Sequence, residues 1–404
     1  MKNVARRTSC VSRKPITLGL SGNVCLMVLI GCGGNVSVEE NSAPPCGTSE
    51  PDSAPPDAVP PDAEPVCEDW QRDDELRQLI LNDWPVNRTG GLALYQGRLH
   101  VTVSSDLGSA LARKTDPGWE LINLPPTATT GKTLRVMQEQ LVMLGADSQD
   151  RPALYHWRQE QWGEISTAPP WAKINDLLPM GDALLMLAEH ESGEHRLVIR
   201  EQTTVTEYAL PAQPADYRVN RLWPVDETHL LVTGSLLDEY HAATQGLLFI
   251  FNLDDQTWDS AQIPASCRDI HQVRGADLND LWVSGQFADE HAAVWRVRQL
   301  QDWRAFVNHN AKGYSPLLVN QQNQVMTAGY SIPHLTDLYG DYTNLWVTHL
   351  EESLSYNAKE SFFTEQTSLL EEVSGYPMEM LYDAEQEIAY LLTTRDLYAR
   401  RCAF

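Results

Sequence analysis

Ile270-His271-Gln272-Val273, a polar turn, then Leu281-Trp282-Val283-Ser284-Gly285 is the stretch on which the fold reading rests. It is a short apolar strand, a reversal, and a second apolar strand ending in a small residue. The same unit recurs on both sides. Before it come Leu92-Ala93-Leu94-Tyr95 with Leu99-His100-Val101-Thr102-Val103-Ser104, and Leu134-Arg135-Val136-Met137 with Leu141-Val142-Met143-Leu144-Gly145. Next are Asp176-Leu177-Leu178-Pro179 with Leu184-Leu185-Met186-Leu187-Ala188, and Leu222-Trp223-Pro224-Val225 with Leu230-Leu231-Val232-Thr233-Gly234. After it come Leu317-Leu318-Val319-Asn320 with Val325-Met326-Thr327-Ala328-Gly329, and Met378-Glu379-Met380-Leu381 with Ile388-Ala389-Tyr390-Leu391-Leu392-Thr393.

The small residues Ser104, Gly145, Ala188, Gly234, Gly285 and Gly329 follow one another at 41, 43, 46, 51 and 44 residues. Most units continue into a third strand, as in Leu247, Phe249 and Phe251 or Ala293, Trp295 and Val297. A fourth is marked by an aromatic: Trp119, Trp162, Tyr208, Trp258, Trp303 and Phe362. Four short strands per roughly 40–50 residues is the period of a β-propeller blade. The expectation is an all-β propeller of seven four-stranded blades over residues 67–404. A pair of β-sandwiches, the main rival, imposes no such regular long period. Crowding near the propeller axis would account for the small residues in the second strand, and the outer strands would have room for Trp and Tyr. The seventh unit ends near Cys402 after three strands, so its fourth is expected from Leu79-Ile80-Leu81. That arrangement would bring Cys67 close to Cys402.

The chain has 404 residues, with 30 Lys and Arg against 55 Asp and Glu, a formal charge of −25. Such acidity argues against a nucleic-acid partner, because phosphate contacts are made mainly by Lys and Arg. Residues 1–31 contain Lys2, Arg6, Arg7, Arg13 and Lys14 and no acidic residue, followed by a broken apolar stretch from Ile16 to Ile30. That stretch is short for a membrane span and suits the apolar region of a secretory signal. From Gly33 to about Val66 the chain is rich in Pro, Ala, Ser, Asp and Glu, as in Ala54-Pro55-Pro56-Asp57-Ala58-Val59-Pro60-Pro61-Asp62-Ala63. Its low apolar content predicts an extended, disordered tether over 32–66.

Leu29-Ile30-Gly31-Cys32 resembles the bacterial lipobox. The resemblance implies that residues 1–31 are a lipoprotein signal peptide, that Cys32 is lipidated and becomes the mature N-terminus, and that Gly33 directs the protein to the outer membrane. Acyl chains on Cys32 would supply a membrane anchor without a spanning segment. Four cysteines then remain, Cys46, Cys67, Cys267 and Cys402, an even number compatible with two disulfides in an exported protein. A Cys67–Cys402 clasp is favoured, with Cys46–Cys67 the local alternative. No Cys/His spacing points to zinc. Phe251-Asn252-Leu253-Asp254-Asp255-Gln256-Thr257-Trp258 resembles the end of a kelch repeat, without the kelch Gly-Gly doublet. Gly275-Ala276-Asp277-Leu278-Asn279-Asp280-Leu281-Trp282-Val283-Ser284-Gly285 resembles repeats in secreted bacterial lipoproteins. Ser104-Ser105-Asp106-Leu107-Gly108 begins like a sialidase Asp-box and lacks its ending.

The turns between second and third strands are acidic in every unit and several carry His. On one propeller face these would present Asp147, Glu191, His195, Asp238, His241, Asp289, His291, His334, Asp337 and Asp341 as a candidate binding surface for Ca2+, another cation or a basic partner. The plainer reading is that hairpin turns favour Asp. Glu189-His190-Glu191-Ser192-Gly193-Glu194-His195, in particular, reads as a hairpin tip. The long connection 330–343, with Tyr330, Tyr339 and Tyr342, is a candidate grip for a carbohydrate or peptide, or a cover over the channel. No nucleophile elbow, phosphate loop or zincin helix is present, so no catalytic residue is assigned and no cofactor is expected. The sequence therefore points to a lipid-anchored, cell-envelope propeller that binds a protein or glycan without catalysis. The alternative is an envelope polysaccharide hydrolase or lyase using carboxylates of the acidic face.

Overall fold

A computed structural model of the chain describes residues 68–401, apart from 84–85, 106–107, 166–170, 309–311, 320–324, 332–341, 355–360 and 375–376. Its strands form seven four-stranded sheets. Six are runs of four consecutive strands, within 86–123, 128–165, 171–209, 217–260, 267–308 and 312–374, and are called blades 1 to 6. The remaining sheet, blade 7, takes three strands from 377–401 and its outer strand, Gln71–Arg72, from the other end of the described chain. The seven consecutive units read from the sequence are thus six complete blades and one sheet assembled from both ends.

Buried apolar clusters join neighbouring blades. Leu185 and Leu187 of blade 3 pack with Val219 and Phe249 of blade 4, and Leu248 and Ile250 of blade 4 with Ile270 and Trp295 of blade 5. Met326 of blade 6 meets Met380 and Leu391 of blade 7, whose Leu392 joins Leu92 and Val101 of blade 1. This closes the ring, an all-β propeller with four-stranded blades.

The seam differs from expectation. Leu79-Ile80-Leu81 lies not in a strand but in a helix, Asp74–Asp83. Asp73 sets it: its carboxylate accepts the Leu76 amide at 2.8 Å, and Asp74 and Glu75 occupy the first turn, where negative charge favours a helix. Leu76 is thereby buried against Leu92 and Leu392. The neighbouring segment edges blade 7, with Gln71 opposite Ala399, Arg72 opposite Tyr398, and the Glu68 amide donating to Arg401 O at 2.9 Å. Residues 1–66, including Cys32 and Cys46, and both Cys67 and Cys402 lie outside the described residues. Cys267 does not join a disulfide. It is a free, buried thiol among Leu248, Ile270 and Trp295, its pKa pushed up by burial and by Asp269.

The small residues of the second strands have a more specific cause than crowding at the axis, because the strand nearest the axis is the first of each blade. In every blade that first strand has a register break of one extra residue: Thr89/Leu92, Gly131/Thr133, Ile174/Asp176, Val219/Leu222, Ile270/Gln272, Tyr314/Leu317 and Pro377/Glu379. Such a bulge kinks the strand and re-aims its groups. In three blades a carbonyl next to the break presses on the facing residue of the second strand. A Cβ on Gly145 would lie 2.0 Å from Thr130 O, one on Gly234 2.2 Å from Arg218 O, and one on Gly285 2.0 Å from Asp269 O.

Blade 1 also buries a titratable group. His100 is 2% exposed, its Nδ1 lies 2.9 Å from Arg98 O, and its ring packs edge-on to Tyr95. Burial, helped by Arg113, lowers its pKa to about 4.

Two outcomes follow from this packing. Gly285→Ala should lower stability by about 1–3 kcal/mol through overpacking, whereas Ala188→Gly, which empties the equivalent position, should cost about 0.5–1 kcal/mol. Urea midpoints of the two variants check the contrast. Between pH 6.5 and 4 the unfolded chain protonates His100 while the folded chain does not, so stability should fall with pH by about 3 kcal/mol over that window. His100→Phe should flatten that limb, as read by thermal unfolding across pH.

Candidate axial binding site

Most of the acidic turns are engaged within their own hairpins. Asp147 accepts the amides of Gln149 and Arg151 at 2.8 and 2.9 Å and the Arg151 guanidinium at 2.8 Å. Asp238 accepts the amides of Tyr240 and Ala242, both at 2.9 Å, and the His241 amide closes the same turn onto Asp238 O. Asp289 lies 2.9 Å from His291 Nδ1. Glu191 is exposed at a tip where Gly193 has φ +84°. His195 is buried between blades 3 and 4, its Nε2 donating to Tyr217 O at 3.0 Å. His334, Asp337 and Asp341 lie outside the described residues. Among the described residues no three His, Cys, Asp or Glu side chains come together in a way that could hold a metal ion.

The first strands bring together a different set. A cavity of about 370 Å³ on the axis is lined from blades 1, 2, 3, 4, 5 and 7, largely by the later halves of their first strands, towards the turns that lead into the second strands. Its charged residues are Arg135, Asp176, Arg221, Arg274 and Glu379. They lie on or near the register breaks, which explains why strands otherwise built of Leu and Val carry them.

Three of the polar groups stitch blades together. The Leu222 amide of blade 4 donates to Asp176 Oδ2 of blade 3 at 3.0 Å. The Leu317 amide of blade 6 donates to Gln272 Oε1 of blade 5 at 3.2 Å, and the Leu92 amide of blade 1 to Glu379 Oε2 of blade 7 at 3.0 Å. Each donor is the first residue past a register break, where a buried amide without a partner would cost about 1–3 kcal/mol.

Two of the three cations are paired. Arg135 reaches Glu379 at 2.5 Å and Asp176 at 3.3 Å, crossing the axis between blades 2, 7 and 3, and also donates to Leu134 O and Leu177 O. Burial works against its charge, and the two carboxylates more than offset this, raising its pKa. Arg221 reaches Asp176 at 3.2 Å. Among the described residues Arg274 has no carboxylate partner at ion-pair distance. Its guanidinium carbon lies 4.1 Å from the Trp223 ring centroid, and Nη1 donates to its own neighbour Val273 O at 3.0 Å. Burial, then repulsion from Arg135 and Arg221, lowers its pKa to about 10.

A second buried cluster lies at the start of the same strands. Asp269 is 2% exposed, accepts Ser235 Oγ at 2.6 Å, and is paired with Arg218 and, at 3.1 Å, with His271 Nε2. Burial alone would raise its pKa, but His271, Arg218 and Ser235 hold it well below the usual carboxylate range.

None of the cavity's charged residues was singled out from the sequence. The signal was present in Leu134-Arg135-Val136, Asp176-Leu177-Leu178, Val273-Arg274 and Met378-Glu379-Met380: a charge inside an apolar strand that the repeat places innermost. Charged residues are almost never buried unless paired, so a charge there marks a partner across the axis.

Glu379→Ala strands Arg135 beside Asp176 alone and leaves the Leu92 amide unmet. It should cost about 3–5 kcal/mol, the usual effect of removing one partner from a buried pair. Glu379→Gln, which keeps an acceptor for Leu92, should lose measurably less in the same urea titration.

The structure is similar to solved propellers at low identity. One is a catalytically inactive virginiamycin B lyase from Staphylococcus aureus, crystallised with quinupristin, at 11% identity and TM-score 0.53, covering 78% of this chain and 94% of that one. Another is the β-propeller domain of Cps50 (Swd1) from Myceliophteria thermophila, at 9% identity and TM-score 0.51, covering 84% and 99%. No protein-family model matches the sequence, and neither does any curated protein. These neighbours share a fold at identities too low to carry a role, so the likeness shows the fold and leaves function to the site.

Proposed function

We propose that this chain is a lipid-anchored propeller of the bacterial cell envelope that works as a non-catalytic binding module for an envelope protein or glycan. The observation that carries the binding part is the axial cavity. Apolar side chains with a few convergent charged groups, held in place by bonds between blades, are the usual lining of a ligand pocket. The anchor rests on Leu29-Ile30-Gly31-Cys32 and the basic residues before it, which support a signal peptide over 1–31, lipid on Cys32, a tether over 32–66 and an outer-membrane location. A kelch-like character is supported by the stretch from Phe251 to Trp258. It forms a hairpin whose two aromatic rings meet at 4.7 Å and whose turn is capped by Asn252. A Cys67–Cys402 clasp is supported by the bond between the adjacent Glu68 and Arg401.

The hydrolase or lyase reading would need two available carboxylates about 5–9.5 Å apart facing one pocket. In the described turns, Asp147 and Asp238 are instead turned onto their own hairpins.

The full-length protein, immobilised and exposed to envelope extract with and without EDTA, should retain a specific partner in both conditions. Loss of the partner on chelation would move the cation reading of the acidic turns ahead. Retention of nothing in either condition would overturn the binding module. In parallel, Cys32→Ser should release the protein from the membrane fraction, and membrane retention of that variant would remove the lipid anchor.

A further inference from the structure

The charges on the axis do not balance, and the imbalance has a position. Among the described residues, three guanidinium groups face two carboxylates in the cavity, within a chain whose overall charge is strongly negative. Glu379 is taken by Arg135 and the Leu92 amide, and Asp176 by Arg135, Arg221 and the Leu222 amide. Arg274 is left with a backbone carbonyl and the face of Trp223. The Trp223 ring is itself fixed, its Nε1 donating to Gly275 O at 3.1 Å, so the stacked guanidinium is held in orientation. The walls around these charges include Leu92, Leu134, Leu177 and Met380.

We infer that the axial cavity binds a compact, singly charged carboxylate, which pairs with Arg274 and sets its body against the apolar wall. A carboxylate matches the planar fork of a guanidinium and supplies one negative charge, the surplus that the lining leaves unmet. A phosphate would bring up to two charges and face Asp176 and Glu379 with the excess. A cavity of about 370 Å³ suits a small organic acid or one acidic sugar unit. This deepens the binding-module reading and rests on it, naming the chemistry that the module recognises.

Calorimetric titration of the full-length protein with benzoate, glucuronate and inorganic phosphate tests the site. At least one carboxylate should bind, more tightly than phosphate. Preference for benzoate assigns a free organic acid, and preference for glucuronate assigns a uronate unit of a glycan. Arg274→Gln should weaken that binding at least tenfold, and Arg274→Lys should recover part of it. A site that requires no variant gives a second reading: phenylglyoxal should modify Arg274 in the wild-type protein, and the bound carboxylate should protect it, as read by peptide mass spectrometry. Absence of carboxylate binding at 10 mM, tighter binding of phosphate, or unchanged affinity in a folded Arg274→Gln would each overturn the inference. The two readings separate cleanly. If the envelope partner is retained while no carboxylate binds, the cavity assignment falls and the module stands. If carboxylates bind while no envelope partner is retained, the site survives and the module reading falls.

Discussion

The register break in the first strand of each blade is the constraint on which the other features depend. The extra residue at each of these breaks turns backbone groups out of the ladder at the place where the blades come closest. A carbonyl is pushed towards the second strand, which restricts the facing residue to glycine in three blades. An amide is released towards the previous blade, which must offer an acceptor. Asp176, Gln272 and Glu379 are those acceptors, and their presence draws Arg135 and Arg221 into the interior as counter-charges. A local fault in pairing thus accounts for the glycines, the interblade bonds and the polar axis together.

The distribution of charge has a related logic. Acid in the hairpins of the second-to-third turns serves local geometry: Asp147 and Asp238 each hold their own turn through two amides. Acid on the axis serves assembly, joining strands that are distant in sequence. Only the second kind is costly to bury, and there the guanidinium groups reach it from other blades, whereas Asp147 is met by Arg151 of its own hairpin. A surplus cation in such a place is therefore more informative than any number of exposed carboxylates.

The blade architecture was legible because it is written as a period. Apolar strands, small residues at intervals near 45 and outer aromatics all recur, and each has a packing cause repeated round the ring. The acidic turns were equally legible, but a carboxylate that caps its own hairpin, as Asp147 and Asp238 do, looks the same in sequence as one awaiting a ligand. Arg135, Arg274 and Glu379 were harder to see, because their meaning depends on which strand is innermost and which residues face one another across the axis. The helix at Asp74–Asp83 was missed for a local reason. Leu79-Ile80-Leu81 looks like a strand on its own, and only the Asp73 cap followed by Asp74 and Glu75 marks it as helical.

The composite seventh blade also has a consequence in time. Glu68 and Arg400 are 332 residues apart, yet they meet along one sheet edge. Closing a loop of that length costs about 5 kcal/mol of chain entropy before any contact compensates. A chain emerging from its N-terminus therefore carries an unmatched edge until almost the last strand has appeared, so blades 1 to 6 can stack while the circle is still open. Until then the edge Leu397–Arg401 and the segment Gln71–Arg72 are both unpaired, and an unpaired edge is open to the matching segment of a neighbouring molecule. Pairing of the two-residue strand Gln71–Arg72 with Leu397–Arg401 is thus the contact that joins the two ends of the described chain within one molecule.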